Sequence, residues 1–132
     1  MNPPGGGNEP PACNVRGTGI DLVENGRMRE ALERWGDHFR NRVFLPSEQA
    51  YCDSRPAPWR HYAGRFAVKE AVSKAFGTGV GKSLSWLDIE VVRDEDTGAP
   101  TVALQGKARE LAERRGVRRI LVSLAHAHDA TV

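Results

Sequence analysis

The chain has 132 residues, with Lys+Arg 19 against Asp+Glu 17 and a formal net charge of +2. Hydrophobic residues make up 39% and charged residues 27%, ordinary globular values that exclude whole-chain disorder and fit one domain with one modest core. No apolar run approaches the ~20 residues of a membrane-spanning helix, and no basic segment followed by an apolar core marks a secretory signal. Cys13 and Cys52 are too few for a disulfide framework, so two free thiols in a reducing cytoplasm are expected.

Residues 1–13 hold four prolines and three glycines without apolar periodicity and are expected to be a disordered tail, with the ordered domain running over 14–132. Val15 to Val23 reads as a strand in which Gly17 and Gly19 signal close backbone approach, and Asp21 sits near its end between two apolar residues. Met28, Leu32, Trp35 and Phe39 follow at i, i+4, i+7 and i+11, the stripe of a helix, and Arg27 and Arg34 share another face of it. After Val43-Phe44-Leu45-Pro46, Ser47 is a candidate N-cap for a short helix through Tyr51. Arg55-Pro56-Ala57-Pro58 is a loop or turn.

From Arg60 to Phe76 the apolar residues spread round most of a helical wheel. A helix apolar on nearly all sides is packed on several sides, so this one is expected to be central. Glu70 and Lys74 fall at about 40° and 80° on a wheel that starts at Phe66, between Phe66 and Ala67. A carboxylate bracketed by apolar neighbours must be paired, protonated or bound to a metal. Gly77 to Gly81 ends the helix. Trp86 to Arg93 and Pro100 to Leu104 read as a hairpin closed by the turn at Asp94 to Gly98, Gly106 to Arg115 as a helix, and Val117 to Leu124 as a last strand. The order implies an α+β fold with a mostly antiparallel sheet packed around a central helix.

Each motif has a plain alternative. Glu70 and Lys74 at i, i+4 could be a simple helix ion pair worth ~0.3–0.5 kcal/mol. The glycines at 77–81 follow a helix, whereas phosphate loops of nucleotide folds precede one. His126 and His128, at alternate positions of a strand, could face one ion, yet two His with Asp129 beside them are weak evidence for zinc. The basic runs at 27–42 and 107–119 lack the exposed aromatics of a single-strand nucleic-acid binder.

Taken together, Gly19-Ile20-Asp21-Leu22 with Glu24, the block from Gly64 to Gly79, Ser85-Trp86-Leu87-Asp88-Ile89-Glu90 and Val122-Ser123-Leu124-Ala125-His126 resemble holo-[acyl-carrier-protein] synthases, the small bacterial 4′-phosphopantetheinyl transferases. Phe44-Leu45-Pro46-Ser47-Glu48 resembles the segment before that family's second helix. The resemblance implies an α+β homotrimer with sites between subunits and no membrane or nucleic-acid partner. Such an enzyme transfers the 4′-phosphopantetheine arm of coenzyme A to a serine of apo-acyl carrier protein, with Mg²⁺ as cofactor and adenosine 3′,5′-bisphosphate as by-product. It implies Asp21 and Glu70 as Mg²⁺ ligands and Lys74 beside the pyrophosphate. Arg65, Gly77, Thr78 and Gly79 would lie where the phosphates and nucleotide of coenzyme A bind, Ser73 and His126 would line that pocket, His126 from the adjoining subunit, and Arg27 and Arg34 would receive an acidic helix of the carrier protein.

The chain departs from the family at Ala125 and Ala127, which cannot relay a proton. A metal-bound or ordered water is then the expected acceptor of the serine proton, with Glu48 a candidate base behind it. The same departures keep a non-catalytic homologue that binds coenzyme A or carrier protein as the alternative.

Overall fold

The computed structural model describes residues 14–132, and the expected disordered tail at 1–13 lies outside them. In chain order the elements are β1 (Val23–Glu24), α1 (Asn25–Val43), α2 (Pro46–Asp53), α3 (Pro58–Ala75), a 3₁₀ turn (Trp86–Asp88), β2 (Ile89–Arg93), β3 (Pro100–Leu104), α4 (Gly106–Arg114) and β4 (Ala130–Thr131).

Helix α3 lies between two apolar clusters, as its all-round apolar surface requires. Tyr62 and Ala63 pack with Met28, Leu32 and Val43 of α1, with Phe44 of the link that follows it, and with Cys52 of α2. Val68, Val72 and Phe76 pack with Leu84, with Ile89 and Val91 of β2, and with Ala108, Leu111 and Ala112 of α4. Pro58 opens the helix, where its missing N–H costs nothing. At the other end Gly77 takes φ 77°, and the amides of Thr78 and Gly79 both donate to the Ser73 carbonyl, at 3.3 and 3.2 Å. Those bonds satisfy carbonyl capacity left over at a helix C-terminus.

A buried ion pair ties α2, α3 and β2 together. Lys69 Nζ stands 2.8 Å from Glu48 Oε1, with both side chains fully buried, and also donates to the carbonyls of Trp86 and Ile89. Glu48 accepts the amides of Leu45 at 2.9 Å and Val91 at 3.0 Å. These bonds replace the water that both charges lose. The expected cap at Ser47 is therefore corrected: α2 starts two residues earlier, with Leu45 at the N-cap and Glu48 reaching back to its amide. Ser47 instead donates to Glu90, at 3.0 Å.

Helix α1 is also not continuous. Gly36 takes φ 53°, ψ −135°, which kinks the helix, and the buried part of the expected stripe ends with Leu32. Trp35 is 55% exposed, with the Arg34 guanidinium 5.0 Å from its ring centroid.

The antiparallel hairpin forms as expected, with β2 and β3 paired from Ile89↔Leu104 to Arg93↔Pro100. Its first expected residues, Trp86 to Asp88, form the 3₁₀ turn instead, because Asp88 Oδ2 accepts the Ser85 amide at 3.0 Å and curls the chain. The other two expected strands are corrected further. Residues 14–22 and 117–124 are in no ladder among the described residues. Alternation is present in the second, with Val122 and Leu124 against the core and Leu121 77% exposed, but a ladder needs a neighbour that the described residues do not supply. Only Val23 and Glu24 pair, with Thr131 and Ala130, because the chain folds back after Leu124. Ala125 and Val132 exchange backbone bonds of 2.7 and 2.9 Å, which makes 125–132 a tight hairpin. The result is an α+β fold with two small antiparallel sheets, β1–β4 and β2–β3.

Candidate functional site

Gly17 and Gly19 explain how Asp21 reaches α3. A Cβ on Gly17 would lie 2.2 Å from the Ala75 carbonyl oxygen, and one on Gly19 2.0 Å from that of Ala71. Only glycine lets the 14–22 segment lie directly on the helix backbone. Asp21 then meets the last turns of α3. Lys74 Nζ donates to Asp21 Oδ1 at 2.8 Å and to the Ile20 carbonyl at 3.2 Å. The plain i, i+4 pairing is therefore not what the lysine does: its ion pair is with Asp21. This bond raises the Lys74 pKa above its ordinary value.

The Glu70 carboxylate has no hydrogen-bond or ion-pair partner among the described residues. Partial burial, then the charge of Asp21, raise its pKa above the usual carboxylate value, with Lys74 acting the other way. Two neighbouring carboxylates, one of them unpartnered, are a hard oxygen donor set that suits Mg²⁺. No cluster of three or more His, Cys, Asp or Glu exists among the described residues. Substrate oxygens and water would have to supply the remaining ligands, as is usual for Mg²⁺. Beside Asp21 runs a groove of about 380 Å³, lined by Gly19, Ile20, Ala71, Leu121 and Val122 among others.

A second cleft, of about 310 Å³, opens where α2, α3, the β2–β3 hairpin and the C-terminal hairpin meet. Its polar lining is Tyr51, Arg55, His61, Arg65, Arg93 and His126, with no carboxylate. Arg65 is buried, its guanidinium lies 4.2 Å from the Tyr51 ring centroid, and its Nε has no hydrogen-bond partner among the described residues. A buried cation with an unmatched donor suits an anionic ligand. Arg55, His61 and Arg93 were not singled out in the sequence. They come from a loop, a helix and a strand end, and no local spacing connects them.

The remaining expected site residues are placed differently. Ser73 is fully buried and donates to the Glu70 carbonyl at 2.7 Å. The amides of Gly77, Thr78 and Gly79 are all engaged by carbonyls at the end of α3. Glu48, a candidate base in the sequence, is shut inside the ion pair with Lys69 and has no access to solvent. Arg27 and Arg34 stand exposed on α1, Arg27 3.9 Å from Glu24. His128 is exposed beside Asp129 and does not join His126, whose Nδ1 lies 3.1 Å from Thr131 Oγ1. The two clefts share Leu124 as a lining residue, and α3 contributes to both.

Residues 17–129 match the 4′-phosphopantetheinyl transferase superfamily. The chain is 45% identical over 115 residues to a holo-[acyl-carrier-protein] synthase of Syntrophus aciditrophicus (strain SB), covering 87% of this chain and 89% of that protein. It is 42% identical over 118 residues to the protein of the same name from Koribacter versatilis (strain Ellin345), covering 89% and 94%. Among solved structures, the holo-[acyl-carrier-protein] synthase of Neisseria meningitidis superposes with a TM-score of 0.81 at 28% identity, covering 89% and 93% of the two chains. The Helicobacter pylori holo-[acyl-carrier-protein] synthase in complex with coenzyme A superposes with a TM-score of 0.76 at 32% identity, covering 86% and 93%.

Proposed function

Because the chain belongs to the 4′-phosphopantetheinyl transferase superfamily, we propose that the Asp21, Glu70 and Lys74 cluster is its transfer site. The enzyme moves the 4′-phosphopantetheine group from coenzyme A to a serine of apo-acyl carrier protein and releases adenosine 3′,5′-bisphosphate. The observation that carries the site assignment is the meeting of Asp21 with Lys74, 53 residues apart in sequence, beside the unpartnered carboxylate of Glu70.

Asp21 and Glu70 would hold Mg²⁺, which when bound supplies Lewis-acid polarisation of the pyrophosphate. Lys74 would stabilise charge on the departing phosphate. Phosphoryl transfer needs mainly positioning and charge stabilisation, and these three side chains offer both. Glu48 is enclosed and Ala125 and Ala127 have no polar side chain, so water is the favoured acceptor of the serine proton. The arginine cleft around Arg65 and His126 is the proposed seat of the nucleotide phosphates. With the Gly77–Gly79 amides committed to capping α3, the side chains carry that binding. Arg27 and Arg34 on α1 would receive an acidic face of the carrier protein.

A homotrimer with sites between subunits is part of the same proposal. Ile20 is 73%, Leu22 62% and Leu121 77% exposed on two extended segments that make no ladder here, and such edges seek partners. No helix among the described residues is long and apolar enough to cross a membrane, and the free thiol of Cys52 accords with work in the cytoplasm. The deciding experiment is mass spectrometry of apo-acyl carrier protein incubated with this chain, coenzyme A and Mg²⁺. A serine-linked phosphopantetheine mass is expected. Its absence with folded protein would leave a non-catalytic binder.

A further inference from the structure

Two imidazoles stand together in the arginine cleft. The rings of His61 and His126 are 6.5 Å apart, centre to centre, a gap that one phosphate group could bridge with two oxygens. The hydrogen bonds around His126 settle which nitrogen carries its proton. Asn25 Nδ2 faces the carbonyls of Ala127 and His128, so Asn25 Oδ1 is its acceptor end and takes the Thr131 hydroxyl proton, at 3.0 Å. Thr131 Oγ1 is then left as the acceptor for His126 Nδ1, at 3.1 Å. Neutral His126 is therefore the Nδ1–H tautomer, and its Nε2 is a lone pair that would repel an anion. Only the imidazolium can donate from Nε2.

His61 faces Tyr51 of α2 edge-on at 5.7 Å, with Arg55, Arg60, Arg65 and His126 as its charged or titratable neighbours. His126 faces Arg60 and Thr131. The His61 ring makes no hydrogen bond among the described residues. Burial, together with the nearby arginines, lowers the pKa of both histidines, so without ligand both are neutral at pH 7. A phosphate dianion entering among three arginines would reverse that balance.

Resting on the reading of this cleft as the nucleotide seat, we propose that His61 is a second imidazole contact for the phosphomonoester of coenzyme A, and that its capture is coupled to protonation of His126. The balance is simple: the free cleft takes one proton from solvent onto His126 Nε2 as the dianion enters, and returns it when adenosine 3′,5′-bisphosphate leaves. No covalent bond changes.

The test compares coenzyme A with 3′-dephospho-coenzyme A by titration calorimetry on the full chain, from pH 8.5 to 6.5, in buffers of different ionisation enthalpy. One coupled proton gives up to tenfold in affinity per pH unit, so coenzyme A should gain about tenfold on acidification across this range. Net proton uptake should accompany its binding. Dephospho-coenzyme A should change less than about twofold on the same linkage argument. His126→Gln, which donates without a charge, should keep the preference for coenzyme A but lose its pH slope. His61→Phe should narrow the preference between the two ligands, with folding checked by circular dichroism. Parallel pH curves for the two ligands, or an unchanged slope in His126→Gln, would overturn the inference while leaving the transferase reading intact. Failure of folded wild-type protein to bind coenzyme A at any pH would overturn both.

Discussion

The ammonium of Lys74 lies 2.8 Å from the carboxylate of Asp21, so the polar end of α3 is tied to a segment that precedes it by 53 residues. That bond, together with the open carboxylate of Glu70, brings together the residues of the proposed transfer site, which no short stretch of chain contains.

Asp21→Asn and Glu70→Gln should each lower transfer to apo-acyl carrier protein by about two orders of magnitude or more, because on the proposed assignment each would remove a charged ligand from Mg²⁺, an ion held by few protein ligands. Mass spectrometry of the carrier protein reads the loss, and near-normal turnover would refute the metal assignment. Glu70→Gln should also raise Tm by a few degrees at pH 7 without metal. The fold raises the Glu70 pKa above 4.5, so it favours the protonated form and ionisation costs stability above that raised value. The gain should fade as pH falls toward 4.5 and vanish below it, where folded and unfolded chains are both protonated.

Gly19→Ala should disable the enzyme without touching any charged group. Its methyl would lie 2.0 Å from the Ala71 carbonyl oxygen, so the segment must lift and carry Asp21 away from Lys74. A turnover loss of at least about tenfold, from ångström-scale misplacement, is expected with circular dichroism little changed. Full activity would mean that Asp21 does not act from this position.

Lys74→Met should depress turnover more than coenzyme A affinity, if the proposed action of its charge on the leaving group holds. Pre-steady-state kinetics and calorimetry separate the two. Equal loss of affinity with unchanged turnover would make Lys74 a phosphate anchor.

Lys69→Met leaves Glu48 charged, buried and unmatched, and should cost about 3–5 kcal/mol. That corresponds to a fall in Tm on the order of 10 °C. Adding Glu48→Leu should restore much of it, because a well-packed apolar pair replaces the ion pair with little net change. A double variant less stable than the single one would show that the bonds to Leu45 and Val91 matter more than the charge.

Arg27→Glu and Arg34→Glu should raise the KM for carrier protein, and high salt should raise it in the wild type too, because exposed charges steer encounter and are screened. The KM for coenzyme A should stay near its wild-type value. An equal rise for both substrates would move these residues to the nucleotide site or a subunit contact.

The local elements were legible in the amino-acid sequence. The all-round apolar surface of 60–76 announced a central helix, and Asp94 to Gly98 between two β-rich runs announced a hairpin, because periodicity and turn chemistry are local properties. Gly17 and Gly19 even signalled a close backbone contact, though not with what. Tertiary structure alone decided the rest. Residues 14–22 and 117–124 carry strand patterns but make no ladder among the described residues, because pairing depends on a distant neighbour. Glu48 looked like a candidate base and is an enclosed ion-pair partner, because burial is set by three elements at once. Arg55, His61, Arg65, Arg93 and His126 share one cleft only because α3 holds the α2 connection, the β2–β3 hairpin and the C-terminal hairpin against one another. The tautomer of His126 follows from Asn25, 101 positions earlier, through the hydroxyl of Thr131, a relation between hydrogen-bond donors and acceptors that exists only once the chain has folded.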